Sequence, residues 1–235
     1  MFNRYTVFIS LIVLMPFMAF GKITVFSENL SGYQYHNEHG EFVGPNFERV
    51  KKALAEANVE YDLNVLAWSL AYNGVLRDTN SCIFSLARLP MREPNFQWIA
   101  KLSRFTAYFY ALPEKHIELD SISAAKNYKT AVIENNFSHH YLKQHGFELG
   151  AQLLVIENVD KLFHIMRQRK NLLDLIVLNE TQYKTKRQLD TTTPQLTKVL
   201  KIKEDATSLY FACNKDMNEV MVNKLKLGFT NTNPK

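Results

Sequence analysis

The sequence predicts an α/β protein of two lobes. Two observations carry this reading, a strand and helix alternation in the first part of the chain and a second α/β series after the aromatic run Phe105 to Leu112. A third shapes it: no internal repeat, low-complexity tract or Gly/Ser linker separates the halves. Extended strands rather than a flexible tether therefore join them.

The elements follow in order. Lys22 to Phe26 reads as a strand, followed by a polar stretch with turns at His39-Gly40 and Gly44-Pro45. From Asn46 the period changes. Phe47, Val50, Leu54 and Ala57 share one helical face, while Glu48, Lys51, Lys52 and Glu56 share the other. Tyr61 to Val65 is a strand, Ser69 to Leu76 a short helix and Cys82 to Leu86 a strand, the β-α-β-α-β order of an open parallel sheet. Ligands in such sheets sit at the carboxyl ends of the strands. In the second half, Thr130 to Ile133, Leu153 to Ile156 and Leu172 to Leu178 are strands. Ser138 to Gln144, Asp160 to Arg169 and Glu180 to Arg187 are helices between and after them. Leu209 to Cys213 is again a strand, and Met217 to Leu227 an amphipathic helix.

Residues Met1 to Gly21 carry one cation, Arg4, an apolar run from Val7 to Leu14, Pro16, and the small residues Ala19 and Gly21. That order is a cleavable secretory signal. A membrane anchor needs about 20 apolar residues, and Pro16 and Ala19-Phe20-Gly21 interrupt this run too early. The expected address is the periplasm, with cleavage near Gly21. The formal charge of +5 is spread along the chain, and its densest group, Lys184 to Arg187, reads as a solvated helix end. Nucleic acid is not an expected partner, because it calls for a concentrated basic stripe. The two cysteines, Cys82 and Cys213, lie in apolar strand-like runs. An oxidising compartment permits a disulfide between them, and each is equally the kind of residue buried as a small hydrophobe, so the sequence leaves both open.

Several segments together resemble solute-binding protein family 3, the periplasmic amino-acid-binding proteins. They are Gly32-Tyr33-Gln34-Tyr35 with Gly40 to Phe47, then Ala67-Trp68-Ser69-Leu70-Ala71-Tyr72, then Phe84 to Glu93 with Phe96. In the second half they are Thr130-Ala131-Val132-Ile133 with Ser138 and Tyr141-Leu142, then Leu173-Asp174-Leu175-Ile176. The resemblance implies the type II periplasmic-binding-protein fold, each lobe a mostly parallel sheet flanked by helices, joined by two extended crossovers near Arg104 to Phe109 and near Asp205 to Leu209. It implies residues 22–107 with 209–235 as one lobe and 108–208 as the other. It also places Cys82 and Cys213 in one lobe.

The same resemblance marks Arg92 as the arginine that grips a ligand's carboxylate, a task suited to a planar fork of donors. Arg88 leaves the same strand and is a second cation or a loop anchor. Tyr33, Tyr35 and Trp68 border the cleft, where aromatic faces would sandwich a ligand. Ser85 lies on the strand that leads to Arg92. Asn136 and Ser138 precede a helix whose N-terminus attracts anions, although Ser138 serves equally as a cap. Two departures from the pattern matter. Ala87 stands where the family has a threonine that assists the arginine, and Asn179, with Glu180 beside it, stands where the family has an acid for the ligand's amino group. The expected ligand is accordingly a small amino-acid-like molecule or another carboxylate.

Catalytic motifs are poorer. The chain has no G-x-S-x-G, H-E-x-x-H or P-loop pattern, and His36, His39, His139 and His140 lack an acidic ligand set for a metal. The expectation is a monomeric, cofactor-free binding protein that delivers a solute to an ABC importer. A sensing module that signals to a membrane partner is the alternative, and a dehydratase-type enzyme on the same fold a distant one.

Overall fold

The computed structural model describes residues 21–169, 171–202 and 207–232. Residues 1–20 of the expected leader and residues 205 and 206 of the expected second crossover lie outside the described residues.

Twelve strands and six helices are described. In chain order they are β1 (Ile23–Ser27), β2 (Tyr35–His36), β3 (Phe42–Val43), α1 (Pro45–Glu56), β4 (Tyr61–Val65), α2 (Trp68–Arg77), β5 (Ser81–Ala87), β6 (Phe96–Arg104) and β7 (Ala107–Ala111). There follow β8 (Thr130–Ile133), α3 (Phe137–Gln144), β9 (Leu153–Ile156), α4 (Val159–Gln168), β10 (Leu175–Asn179), α5 (Glu180–Leu189), β11 (Thr197–Lys201), β12 (Ser208–Asn214) and α6 (Glu219–Asn231).

Local chemistry explains the helix ends. Pro45 starts α1 with its φ preset and no donor to lose, and Glu48 sits in the first turn. The chain leaves α1 at Asn58, whose φ of 49° lies in the left-handed region that asparagine tolerates. Helices α3, α4, α5 and α6 are each capped by an asparagine, at Asn136, Asn158, Asn179 and Asn218, whose side chain accepts from first-turn amides.

One sheet has the order β4-β1-β5-β12-β6 and the other β11-β7-β10-β8-β9. Both are mostly parallel, with β12 reversed in the first and β7 in the second. The chain thus forms two α/β lobes. It passes from the first sheet to the second through Phe105 and Thr106, and the Phe105 amide donates to the Thr207 carbonyl of the returning pass at 3.0 Å. The antiparallel pairs β6–β12 and β7–β11 carry this two-stranded contact into each sheet.

Under the first sheet, α1 and α6 cover a core that includes Ile23, Val25, Phe47, Leu54, Phe84, Phe211 and Phe229. Burying each such side chain stabilises by about 1.5–3 kcal/mol. The helices approach closely at Gly228, where a Cβ would sit 2.3 Å from the Ala53 carbonyl oxygen. Cys82 on β5 faces Cys213 on β12, both fully buried, and the two are joined in a disulfide.

Three features differ from the sequence reading. Strand β10 starts at Leu175 rather than Leu172, which is exposed. Asp174 breaks the apolar run by accepting from the Lys129 amide and from Lys115 Nζ. The run Phe105 to Leu112 forms a strand only over Ala107–Ala111, because Phe105 and Thr106 belong to the passage between lobes. Strands β6 and β11 and the ribbon β2–β3 carry no clean alternation and were not anticipated.

Candidate functional site

A cavity of about 60 Å³ lies between the lobes. On the first-lobe side it is walled by residues that follow the carboxyl ends of β1 and β5, and on the second-lobe side by the starts of α3 and α5. Its position matches where open α/β sheets place ligands. The space equals a few water molecules, so a larger solute enters only when the lobes part.

Six of the residues singled out from the sequence line it: Trp68, Ser85, Arg92, Asn136, Ser138 and Asn179. Trp68 opens α2 and donates from Nε1 to the Asn135 carbonyl at 2.7 Å. Ser85 is a β-bulge: Phe84 and Leu86 pair with the successive residues Phe211 and Tyr210, leaving Ser85 unopposed at φ 62°. Bulges re-aim side chains next to sites, and this one puts Ser85 in the cavity wall. Its hydroxyl donates to Gln34 Oε1 at 2.7 Å and accepts from Asn46 Nδ2 at 2.9 Å.

Among the described residues Arg92 is the largest fully buried side chain. Pro90 starts the short 3-10 helix that holds it, Pro90–Asn95. NH1 donates to the Ala87 carbonyl at 2.8 Å and NH2 to the Asn135 carbonyl at 2.6 Å, while Nε is buried without a partner. The guanidinium lies over the rings of Tyr72 and Trp68, at 5.1 and 5.9 Å. Among the described residues no carboxylate pairs with it. Burial lowers its pKa to about 10, so it stays charged at neutral pH.

Asn136 and Asn179 face the cavity as the caps of α3 and α5. Asn136 Oδ1 accepts from the His139 amide and from Ser138 Oγ, at 3.0 and 2.9 Å. Asn179 Oδ1 accepts from the Thr181 and Gln182 amides. Two helix N-termini, with their partial positive charge, thus converge on one space beside a buried cation.

The other four residues lie elsewhere. Tyr33 is buried beside the cavity, its hydroxyl 3.2 Å from the Arg104 carbonyl and 3.4 Å from Asn179 Oδ1. Arg88 forms a fork with Glu93 at 2.7 and 2.9 Å and lies over Trp98 and Tyr210, which makes it a surface anchor. Tyr35 pairs with Val43 in the β2–β3 ribbon. Glu180 is held by Lys184 and Lys198, each at 2.6 Å, and does not line the cavity. Among the described residues no cluster of three or more His, Cys, Asp or Glu side chains is placed to hold a metal.

Sequence reasoning missed Glu28, Phe105 and Gln182, which also line the cavity. Glu28 directly follows β1, and burial pushes its carboxyl up to about 8. Its position one residue past the carboxyl end of a central strand was a usable signal. His140 lies behind the wall, and burial, aided by Arg92, lowers it to about 4.

No protein-family profile matches the sequence, and no curated protein matches it. Solved structures do share its architecture. A histidine kinase sensor domain with similarity to periplasmic binding proteins superposes with a TM-score of 0.74 at 13% identity, covering 89% of each chain. An ancestral arginine-binding protein bound to arginine gives 0.73 at 13%, over 90% of this chain and 92% of that one. An amino acid ABC transporter substrate-binding protein from Streptococcus pneumoniae, bound to L-arginine, gives 0.73 at 13%, over 90% and 88%. At such identity the likeness is one of fold, and it agrees with the strand orders above. The chain has the two-lobed fold of the type II periplasmic binding proteins.

Proposed function

We propose that the protein is a periplasmic solute-binding protein that holds a small amino-acid-like or carboxylate ligand between its lobes and delivers it to an ABC importer. The observation that carries this reading is Arg92, a cation buried in the wall of the interlobe cavity that pairs with no carboxylate among the described residues. An uncompensated buried charge is costly, and an anion that enters the cavity relieves that cost. Two helix N-termini favour the same anion. Glu28 faces the same space and gives a ligand's amino group a carboxyl partner, which would lose its proton on pairing.

The leader at Met1 to Gly21 and the Cys82–Cys213 disulfide support an extracytoplasmic address. The protein acts as a monomer, without a cofactor and without chemistry of its own. A second reading, a sensing module that reports to a membrane partner, is supported by the likeness to a histidine kinase sensor domain.

A thermal-shift screen of amino acids and small carboxylates, run on the native protein and on Arg92→Ala, tests the proposal. A ligand at about 100 times its Kd stabilises the native protein by about 2.7 kcal/mol. It should leave Arg92→Ala nearly unshifted. Equal stabilisation of both proteins rules out the assigned site, and a screen with no hit removes the binding reading.

A further inference from the structure

Among the described residues, the second-lobe wall of the cavity holds polar side chains but no acid. Those side chains belong to Asn136, Ser138, Asn179 and Gln182. Both asparagines are committed as helix caps. Asn179 Oδ1 accepts from the Thr181 and Gln182 amides at 2.9 and 3.3 Å, and Asn136 Oδ1 from the His139 amide and Ser138 Oγ. An amide oxygen has two lone pairs, so neither keeps acceptor capacity for a solute. What each still offers is its Nδ2 donor, which bonds to no other group among the described residues. Gln182, in the first turn of α5, is an independent sign of a ligand. It is only 6% exposed, it lines the cavity, and its side chain makes no hydrogen bond among the described residues. Burying an amide without partners is costly, and a solute oxygen that accepts from it removes that cost. Glu28 is the one acid among the described lining residues, and it stands on the first-lobe side, just past β1. Burial keeps its proton on at neutral pH, so an ammonium is met there only when that proton is given up.

We propose that Asn179 and Gln182 form a second-lobe subsite that reads an oxygen of the solute, so that the solute is a small hydroxy, oxo or dicarboxylic acid and not an α-amino acid. This rests on the binding reading and, of the two ligand kinds in it, selects the carboxylate. Arg92 takes one carboxylate group. Asn179 Nδ2 and the Gln182 amide donate to the hydroxyl, carbonyl or second carboxylate oxygen. An ammonium carries three donors and no acceptor. Turned to this wall, it leaves polar groups unpaired on both sides, and that loss sets the preference.

Isothermal titration calorimetry at neutral pH with three matched pairs tests this: glycolate and glycine, L-lactate and L-alanine, L-malate and L-aspartate. Within each pair a hydroxyl replaces an ammonium. The protein is first refolded from denaturant to strip any solute. In the pair that fits, the hydroxy acid should bind about tenfold tighter or more, the effect of leaving a buried hydrogen-bonding group unsatisfied. Asn179→Asp keeps the cap, because aspartate caps a helix as well as asparagine does, and it turns the free donor into a charged acceptor. It should cut the preference about tenfold or invert it. Gln182→Leu removes the amide at similar size. It should weaken the hydroxy acid about fivefold or more and leave propionate, which has no second oxygen group, unchanged. Circular dichroism checks that each variant folds, and if one does not, the other decides. An amino acid that binds as tightly as its hydroxy partner overturns the subsite, as do unchanged affinities in the folded variants, and both results leave the binding reading standing. Binding of none of the six compounds overturns the subsite too, and only a broader screen without a hit removes the binding reading with it.

Discussion

Replacing both Cys82 and Cys213 by alanine should cost about 5 kcal/mol of stability. The two cysteines are 131 residues apart, and in the chain-entropy description a cross-link closing a loop of that size removes about 5 kcal/mol of freedom from the unfolded chain. Both sulfurs are fully buried, so alanine also gives up some apolar contact in the first sheet, and the loss should not fall much below that figure. Domains of this kind are stable by about 5–15 kcal/mol, so the variant would sit near the lower edge of folding. Urea unfolding followed by circular dichroism measures the difference, and the slope against urea should rise because the uncross-linked chain expands further. A double variant within about 1 kcal/mol of the native protein would refute the reasoning, since the closed loop could then not be what restrains the unfolded state.

Two further outcomes follow from single residues. Burial holds the Glu28 carboxyl at about 8 in the folded protein against the ordinary 4.5 of a glutamate, so its contribution to stability is complete below pH 4.5 and is lost as pH rises towards 8. Glu28→Gln should therefore become more stable than the native protein as pH is raised from about 5 to about 8.5, and a melting-temperature difference that does not change with pH refutes this. Gly228→Ala puts a methyl group 2.3 Å from the Ala53 carbonyl and 2.8 Å from the Ala57 Cβ. Forcing α6 away from α1 should cost about 1–3 kcal/mol, more than the roughly 1 kcal/mol of helix propensity gained, and an unchanged or higher melting temperature would count against it.

Elements with a strong period were legible in the sequence. Thr130 to Ile133 and Leu153 to Ile156 are strands within those bounds, and Phe47, Val50 and Leu54 do face the core. Of the four edge strands, β4 and β9 were legible and β6 and β11 were not, for a physical reason. Strand β11 is half lysine-flanked and mostly solvated, and β6 is only partly buried along most of its length, so neither needs the alternation that a two-sided environment imposes. The site was legible where a motif carried it, as at Arg92 and Trp68. It was harder to read where tertiary placement decided, as at Glu28, whose place just past β1 pointed to the cavity but whose burial no local pattern announces. Arg88 and Glu180 were credible cavity residues by position, but each had a nearer partner of opposite charge, Glu93 for the first and Lys184 and Lys198 for the second.

Strands β6 and β12 are antiparallel neighbours that part at the pair Arg104 and Ser208. Everything between them, including the whole second sheet, is in topological terms the loop of one hairpin. The first lobe is then a scaffold with a large insert between two adjacent strands. Joining Arg104 to Ser208 by a short turn would excise the insert, and exchanging it between related proteins would swap one wall of the cavity while leaving the Arg92 wall in place.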